Sequence, residues 1–280
     1  MSAQALTIGC FDGVHQGHRF LLQQLRALAE ERGMQTLALT FRRHPAAVLG
    51  KTVPPQLCTL EEKERLLKEQ AREVKILDFT EEMARLTAKE FMQKLRDEYG
   101  VGLLLLGYDH RFGRPTPDDD YERDGHALGL EVRRAESLPG VSSSAIRQAL
   151  QQGRIAEANE MLGRPYTLSG TVVAGRQVGR SIGFPTANIS TPLLIPKTGV
   201  YTATTPYGPA LVNIGHRPTL NNGSDISIEA HIKDFRGDLY GHPLSVSLLR
   251  RLRDEQAFPS LEALRRQIEN DLKSLTLPHQ

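Results

Sequence analysis

Leu6-Thr7-Ile8-Gly9-Cys10-Phe11-Asp12-Gly13-Val14-His15-Gln16-Gly17-His18 opens on a short apolar run and closes on two histidines three apart. An amphipathic segment follows, residues 19–32, with apolar side chains at spacings of three and four. The whole therefore reads as a strand, a tight turn and a helix start. Gly9, Gly13 and Gly17 admit backbone conformations closed to other residues and let a ligand approach the main chain. With a helix beginning near Val14, His15 and His18 would share one face of its first turn. Backbone N–H groups without intrahelical partners lie there and favour an anion. Two neutral imidazole donors over a helix N-terminus suit a phosphate. A lone histidine in such a place is more often a turn cap or a surface residue, and it is the complete string that argues for a site.

The same alternation continues downstream. Residues 36–41, 74–79, 102–107 and 130–134 read as strands, and residues 60–72 and 87–99 carry helical spacing. Strands alternating with helices predict a parallel, doubly wound α/β sheet, in which ligands lie outside the carboxyl ends of the strands. There is no Gly-x-x-x-x-Gly-Lys-Ser/Thr, and Gly100-x-Gly102 is not followed by Gly at position 105, so neither a P-loop nor a dinucleotide fingerprint is present. Helical spacing resumes at residues 145–150, breaks at Gly153 and runs on to Leu162, where Gly163 and Pro165 form a stop signal. A boundary here gives two domains, 1–160 and 161–280.

Beyond it the pattern changes to short strands at 168–173, 199–205, 210–214, 226–232 and 244–249, separated by Gly, Pro and Asn, and a final helix at 260–272. That pattern predicts a small antiparallel β-barrel domain with a C-terminal helix. Gly175-x-x-x-Gly179-x-x-x-Gly183-Phe184-Pro185-Thr186-Ala187-Asn188 connects the first two of these strands. Repeated glycine alone also describes a flexible connection. Here Thr186 and Asn188 add a hydroxyl and an amide carbonyl, both hard oxygen ligands suited to Mg²⁺. Along residues 226–232 the period is two, with Ile226, Ile228, Ala230 and Ile232 on one face and Ser227, Glu229 and His231 on the other. Glu229 thus points away from the core, and alternation alone does not separate a solvated carboxylate from a general base. Ser143 and Arg147 are four apart at a helix start, a spacing that lets hydroxyl and guanidinium meet one phosphate.

Composition narrows the classes. A chain of 280 residues accommodates two cores, and its net charge is only +2. Arg250-Arg251-x-Arg253 is balanced by Asp118-Asp119-Asp120, no continuous basic stripe appears, and nucleic acid is not an expected partner. Cys10 and Cys58 are the two cysteines, without Cys-x-x-Cys spacing, so neither a disulfide framework nor a zinc site is expected and a reducing compartment fits. Cys10 is expected to pack beneath the turn. The amino terminus lacks a basic region followed by a long apolar core, and the Leu103-Leu104-Leu105-Leu106 run is too short to cross a bilayer. A soluble, cytoplasmic protein without a membrane partner is the expectation.

Gly9-x-Phe11-Asp12-Gly13-Val14-His15-x-Gly17-His18 resembles the His-x-Gly-His signature of nucleotidyltransferases, and more closely the amino-terminal half of the bifunctional riboflavin kinase/FMN adenylyltransferase family. Leu106-Gly-Tyr-Asp109-His110-Arg-Phe-Gly113 resembles that family's Gly-x-Asp-Phe-x-Phe-Gly segment, with His110 where Phe is frequent. Val141-Ser142-Ser143-Ser144-Ala145-Ile146-Arg147 resembles its Ser-Ser-Thr-x-Ile-Arg motif, with Ser144 for Thr. Phe41-Arg-Arg43-His44-Pro45 resembles its strand-end segment, with Arg43 where Pro is common. In the second half, the string ending in Gly183-Phe-Pro185-Thr186-Ala-Asn188 is similar to the riboflavin kinase motif, as are Gly199-Val-Tyr201, Asn213-Ile-Gly-x-Arg-Pro-Thr219 and Arg253-Asp-Glu-x-x-Phe258.

The resemblance implies two transfers from ATP: Mg²⁺-dependent phosphorylation of riboflavin to FMN in the second domain, and adenylylation of FMN to FAD, with release of pyrophosphate, in the first. It makes Glu229 the general base toward the riboflavin hydroxyl, Thr186 and Asn188 the Mg²⁺ ligands, and His15, His18, Ser143 and Arg147 the groups that stabilise adenylyl transfer. Nucleotide contacts fall to Gly9, Phe11, Asp12, Gly17, Asp109, Ser144, Gly175, Gly179, Gly183 and Pro185. Flavin contacts fall to Asn213, Arg253 and Phe258. The departures at Arg43 and His110 suggest as an alternative a kinase with an impaired adenylyltransferase half. A flavin-binding module without turnover is the reading from another class, which retention of Glu229 with Thr186 and Asn188 argues against.

Overall fold

The computed structural model describes residues 3–175, 179, 183–217 and 225–275. The chain forms two compact units, one of Met1–Pro54 with Leu60–Val141, the other of Pro55–Thr59 with Ser142–Gln280.

The first unit carries β1 (Gln4–Ile8), α1 (Gln16–Glu31), β2 (Gln35–Phe41), α2 (Leu60–Lys68), β3 (Glu73–Leu77), α3 (Glu81–Arg85), α4 (Ala88–Tyr99), β4 (Val101–Leu106), α5 (Tyr121–Ala127) and β5 (Glu131–Arg134). Its strands form a parallel sheet in the order β3-β2-β1-β4-β5. The central strands β2, β1 and β4 are largely apolar because both of their faces are covered. Ala5, Ala38, Leu103 and Leu105 pack with Leu22 and Leu25 of α1 and Leu66 and Leu67 of α2. Their neighbours in sequence, Leu6, Leu37, Leu104 and Leu106, pack with Phe91, Met92 and Leu95 of α4 on the opposite face. The sheet is laid down outward from β1 through β2 to β3 and then, from β4, to the other side. The topological switch point therefore falls between β1 and β4, and the His15–His18 stretch leaves β1 there.

All five expected strands are present. Helices α3 and α5 were not expected, since they are 5 and 7 residues long, too short for a helical period to show; Thr80 and Asp120 cap them. Cys10 packs half-buried against the core on the α4 side of the sheet.

The second unit begins with α6 (Ser143–Gln151) and α7 (Ile155–Leu162). Strands β6 (Tyr166–Val173), β7 (Ala187–Ser190), β8 (Gly199–Thr205), β9 (Gly208–Arg217), β10 (Asp225–Ile232) and β11 (Pro243–Arg253) follow, then α8 (Leu261–Leu272). The strands close into an antiparallel barrel in the order β10-β7-β6-β11-β8-β9. Alternate residues, among them Leu168, Tyr201, Val212, Ile228 and Val246, are buried. The short strand β7 lies in a stretch that reads as loop, because its four residues follow directly on the Gly- and Pro-containing connection and include one large apolar side chain, Ile189. Helices α6 and α7 group with the barrel through main-chain contacts. The Asn159 carboxamide accepts from Tyr166 N at 2.7 Å and donates to Leu248 O at 2.9 Å, and Lys197 N donates to Leu150 O at 3.0 Å.

Candidate active sites

In the first unit the site is built by the turn after β1. Gly9 N donates to Leu39 O at 3.1 Å, and a Cβ at Gly9 would stand 3.3 Å from the Phe11 ring. The backbone then enters the left-handed region at Phe11 (φ 48°), Gly13 (φ 79°) and Val14 (φ 39°). Of the three, only Gly13 is a glycine; a β-branched residue at positive φ is a genuine outlier, worth about 1–3 kcal/mol of strain. Phe11 and Val14 are both buried in the core beside Leu22 and Leu25, which holds the conformation in place.

This backbone corrects the expected helix start. A left-handed Val14 cannot begin a right-handed helix, so α1 begins at Gln16 and His15 is its N-cap, with Nδ1 accepting from His18 N at 3.3 Å. The imidazoles nonetheless come together: the His15 and His18 rings stack at 3.6 Å between centroids and 17° between planes, with the Phe11 ring edge-on to His18 at 5.2 Å. Gly17 leaves room for that stack, since a Cβ there would lie 3.2 Å from the His15 ring. Because His15 Nδ1 accepts, a neutral His15 carries its proton on Nε2. Burial, and then the charges of His15 and Lys63, hold the His18 imidazole well below its ordinary range, so His18 is neutral at pH 7. Its Nδ1 is buried and makes no hydrogen bond among the described residues.

Lys63 was not singled out in the sequence. From α2 its Nζ donates to Phe41 O at 2.7 Å and Cys10 O at 3.3 Å. A signal was available, because Lys63 precedes the buried Leu66 and Leu67 by three and four residues and so lies on the apolar face of its helix. Asp12 is half-buried within the turn, and Asp109 is exposed just beyond β4. Arg134 Nη1 organises that segment by donating to Gly107 O, Tyr108 O and His110 O at 3.3, 3.4 and 3.2 Å. Burial pushes the His110 imidazole down and Arg134 does the same, while Asp109 pulls it up. His44 caps the short 3₁₀ turn Pro45–Ala47, its Nδ1 accepting from Ala46 N at 3.2 Å.

Ser143, Ser144 and Arg147 belong to the second unit, on the first turns of α6. The N-cap is Ser142, whose hydroxyl accepts from Ala145 N at 3.1 Å; Ser143 is the first helical residue, Ser144 is exposed, and Arg147 Nε donates to Pro55 O at 2.8 Å.

In the barrel, β10 is flanked by β7 and β9, and the ladder registers set Glu229 opposite Asn188 on one side and Asn213 on the other. Directly opposed residues of antiparallel strands project to the same face, so the three side chains form a row. The Glu229 carboxylate is half-buried and is approached by two hydroxyls at loose distances: Thr186 Oγ1 donates to Oε2 and Ser227 Oγ to Oε1, both at 3.4 Å. Glu229 therefore does not face bare solvent, as its position in the alternation suggests; it lines a polar cluster. Ser227, buried beneath it, was not foreseen as part of that cluster.

The glycines of the preceding connection do different work. A Cβ at Gly175 would fall 2.1 Å from the Asn188 carboxamide, one at Gly179 would fall 2.2 Å from Phe184 O, and Gly183 has φ +90°. His231 Nδ1 donates to Pro185 O at 2.9 Å and tethers the end of the connection beside Thr186. Next to Thr186 opens a cavity of about 470 Å³ walled by Val172, Ala230, Ile232 and Tyr240, a size that suits a small-molecule ligand. Arg253 is engaged within the unit. Its guanidinium grips Asp271 of α8, Nη2 to Oδ2 at 2.8 Å and Nε to Oδ2 at 3.1 Å, and lies 5.8 Å from the Phe258 ring centroid. Thr219 lies outside the described residues.

Hydroxyl, carboxamide and carboxylate oxygens on Thr186, Asn188 and Glu229 form a donor set of the hard type that Mg²⁺ takes when it is held chiefly through substrate phosphates. Among the described residues there is no cluster of three or more His, Cys, Asp and Glu suited to a metal, and no helix long and apolar enough to cross a membrane.

Each half matches a different family model: FAD synthetase over residues 1–146 and riboflavin kinase over residues 162–276. Two relatives described as bifunctional riboflavin kinase/FMN adenylyltransferase align along nearly the full length. The one from Escherichia coli K12 is 37% identical, covering 95% of this chain and 90% of its own, and the one from Bacillus subtilis 168 is 34% identical, covering 95% and 89%. Among solved structures, a protein of Streptococcus pneumoniae described as a macrolide-efflux protein superposes with a TM-score of 0.86 at 30% identity, over 98% of this chain and 94% of that one. One match covers the stacked histidine pair at the switch point of the first unit, and the other covers the Glu229 carboxylate flanked by two asparagines in the barrel. The chain belongs to the bifunctional riboflavin kinase/FMN adenylyltransferase family.

Proposed function

We propose that the two reactions of FAD synthesis divide between the halves of the chain, riboflavin phosphorylation in residues 161–280 and adenylyl transfer in residues 1–160. As a member of its family the enzyme uses ATP twice, first to make FMN from riboflavin and then to make FAD from FMN with release of pyrophosphate. The alternative of a kinase alone finds no support, because both halves match.

The observation that carries the kinase assignment is the row Asn188–Glu229–Asn213 with the Thr186 hydroxyl beside it. Glu229 accepts the proton of the riboflavin 5′-hydroxyl as its oxygen bonds to the γ-phosphorus and the bond to the bridging oxygen breaks, releasing ADP. Thr186 and Asn188 would hold Mg²⁺, which neutralises charge on the phosphates when bound. The cavity beside Thr186 receives the nucleoside part of ATP, and Gly175, Gly179, Gly183 and Pro185 shape the passage for its phosphates. Asn213 meets the flavin; Arg253 and Phe258 act from their ion pair and ring contact at the end of β11. In the adenylyltransferase, an FMN phosphate oxygen attacks the α-phosphorus of ATP and pyrophosphate leaves. His15 and the neutral His18 imidazole donate to the developing negative charge, Ser143 and Arg147 serve the same transfer, and Gly9, Phe11, Asp12, Gly17, Asp109 and Ser144 contact nucleotide. The thiols of Cys10 and Cys58 suit a cytoplasmic setting that keeps them reduced.

The test is incubation of the purified protein with riboflavin, ATP and Mg²⁺ followed by separation of the flavins. Appearance of FMN and then FAD supports the reading, and FMN without FAD would confine activity to the kinase.

A further inference from the structure

We propose that Lys63 is a positioning residue for adenylyl transfer, tying the carbonyl of Cys10, just past the end of β1, to that of Phe41, the last residue of β2, and so holding the turn that presents His15 and His18. The inference rests on the assignment of those two histidines to adenylyl transfer. Helix α2 buries Leu66 and Leu67 against the sheet, and Lys63, three and four residues earlier, is carried on the same face. An ammonium so placed needs acceptors, and it finds two strand-end carbonyls, at 2.7 Å and 3.3 Å. The Cys10 carbonyl also accepts from Thr40 Oγ1 at 3.2 Å, so both of its lone pairs are used and the peptide is pinned. Four residues after that peptide the chain stands at positive φ at Val14, and the next residue is the helix cap His15. A turn strained in this way keeps its shape only where its surroundings over-determine it, and Lys63 is one of those surroundings. Its charge reaches the site as well, acting on the His18 imidazole in the same direction as burial and His15. A fixed cation at the carboxyl ends of β1 and β2 also suits a reaction in which ATP enters as a polyanion and pyrophosphate leaves.

The experiment uses the full chain with Lys63→Met and Lys63→Arg, reading kcat and KM for FAD formation from FMN, riboflavin phosphorylation in the same preparation, and the NMR titration of His18. Loss of two charge-assisted hydrogen bonds should lower kcat/KM for FAD formation about ten- to a hundredfold in the Met variant, most of it in kcat, with phosphorylation unchanged. His18 should titrate at higher pH once the neighbouring charge is gone, and Lys63→Arg should restore part of both. Lys63→Gln, which is uncharged and too short to span both carbonyls, takes the place of Lys63→Met if the latter does not fold, and the same results are expected of it. Wild-type FAD formation in the charge-free variant would overturn the proposal, as would an unmoved His18 titration with both activities falling together. If instead His15→Ala leaves FAD formation intact, the assignment of the histidines fails, and the titration arm still reports whether Lys63 acts on His18.

Discussion

Glu229 on β10 stands directly opposite Asn188 on β7, so the proposed base and a proposed metal ligand are locked in one ladder register. Substituting Glu229→Gln keeps the shape and the ladder and removes the base. FMN formation should fall by roughly a hundred- to ten-thousandfold, with FAD formation from supplied FMN unaffected. A Gln variant that phosphorylates riboflavin at the wild-type rate would remove Glu229 from the mechanism.

Replacing both His15 and His18 with Ala should stop FAD formation and spare riboflavin phosphorylation, since the kinase motifs lie in the other half. The measurement is both activities on one folded preparation. Parallel loss with an intact circular dichroism spectrum would contradict the division between the halves.

Thr186→Val exchanges a hydroxyl for a methyl with the β-branched shape kept. The hydroxyl also donates to Glu229, so the kinase should need more Mg²⁺ for half-maximal rate and also lose some kcat. A Mg²⁺ titration that superposes on wild type would argue against Thr186 as a ligand.

His18 makes the first unit sensitive to acid. Burial, His15 and Lys63 hold its imidazole below the ordinary 6.5, so it resists protonation in the folded state more than in the unfolded chain. Stability is therefore full above about pH 6.5 and declines as pH falls below that value, where the unfolded chain takes up a proton that the folded one refuses. His110, lowered mainly by burial, adds in the same direction. His18→Gln should flatten the decline of unfolding midpoint between about pH 6.5 and 5; an unchanged slope would assign the acid sensitivity elsewhere.

Residues 161–280, expressed alone, should phosphorylate riboflavin, and residues 142–280 should do so with a higher denaturant midpoint. The longer fragment keeps the two hydrogen bonds of the Asn159 carboxamide and the packing of Gly153 against Arg251. Two such half-buried hydrogen bonds alone are worth about 1–3 kcal/mol. Equal midpoints would mean that α6 and α7 lend the barrel nothing.

What the sequence disclosed depended on how long each pattern ran. Strands β1 to β4 and helices α1, α2 and α4 repeat their periods over enough residues to be seen; β5, as short as β7 at four residues, is marked by the apolar Leu130 before it, whereas β7 and α3, at five residues, carry no such mark. His15 and His18 were legible as a pair, but not as a stack with His15 outside the helix, because nothing in the letters marks Val14 as left-handed. The opposition of Glu229 to Asn188 and Asn213 is a matter of ladder register between strands far apart in the chain, which no local pattern encodes. Lys63 was hidden for the opposite reason: in a helix rich in Glu, Lys and Arg, a charge on the buried face looks like any other.

The left-handed Val14 has a genetic corollary. Its conformation is held by close packing of its own side chain and that of Phe11 with Leu22, Leu25 and Leu103, so the turn borrows its shape from the interior of the unit. A substitution that merely loosens this interior, such as Leu22→Ala, opens space into which Val14 relaxes before the unit as a whole unfolds. Alleles of that kind would be leaky and temperature-dependent, and their mark in the cell would be lopsided: FMN would accumulate and FAD run short, although no residue of either site had been touched.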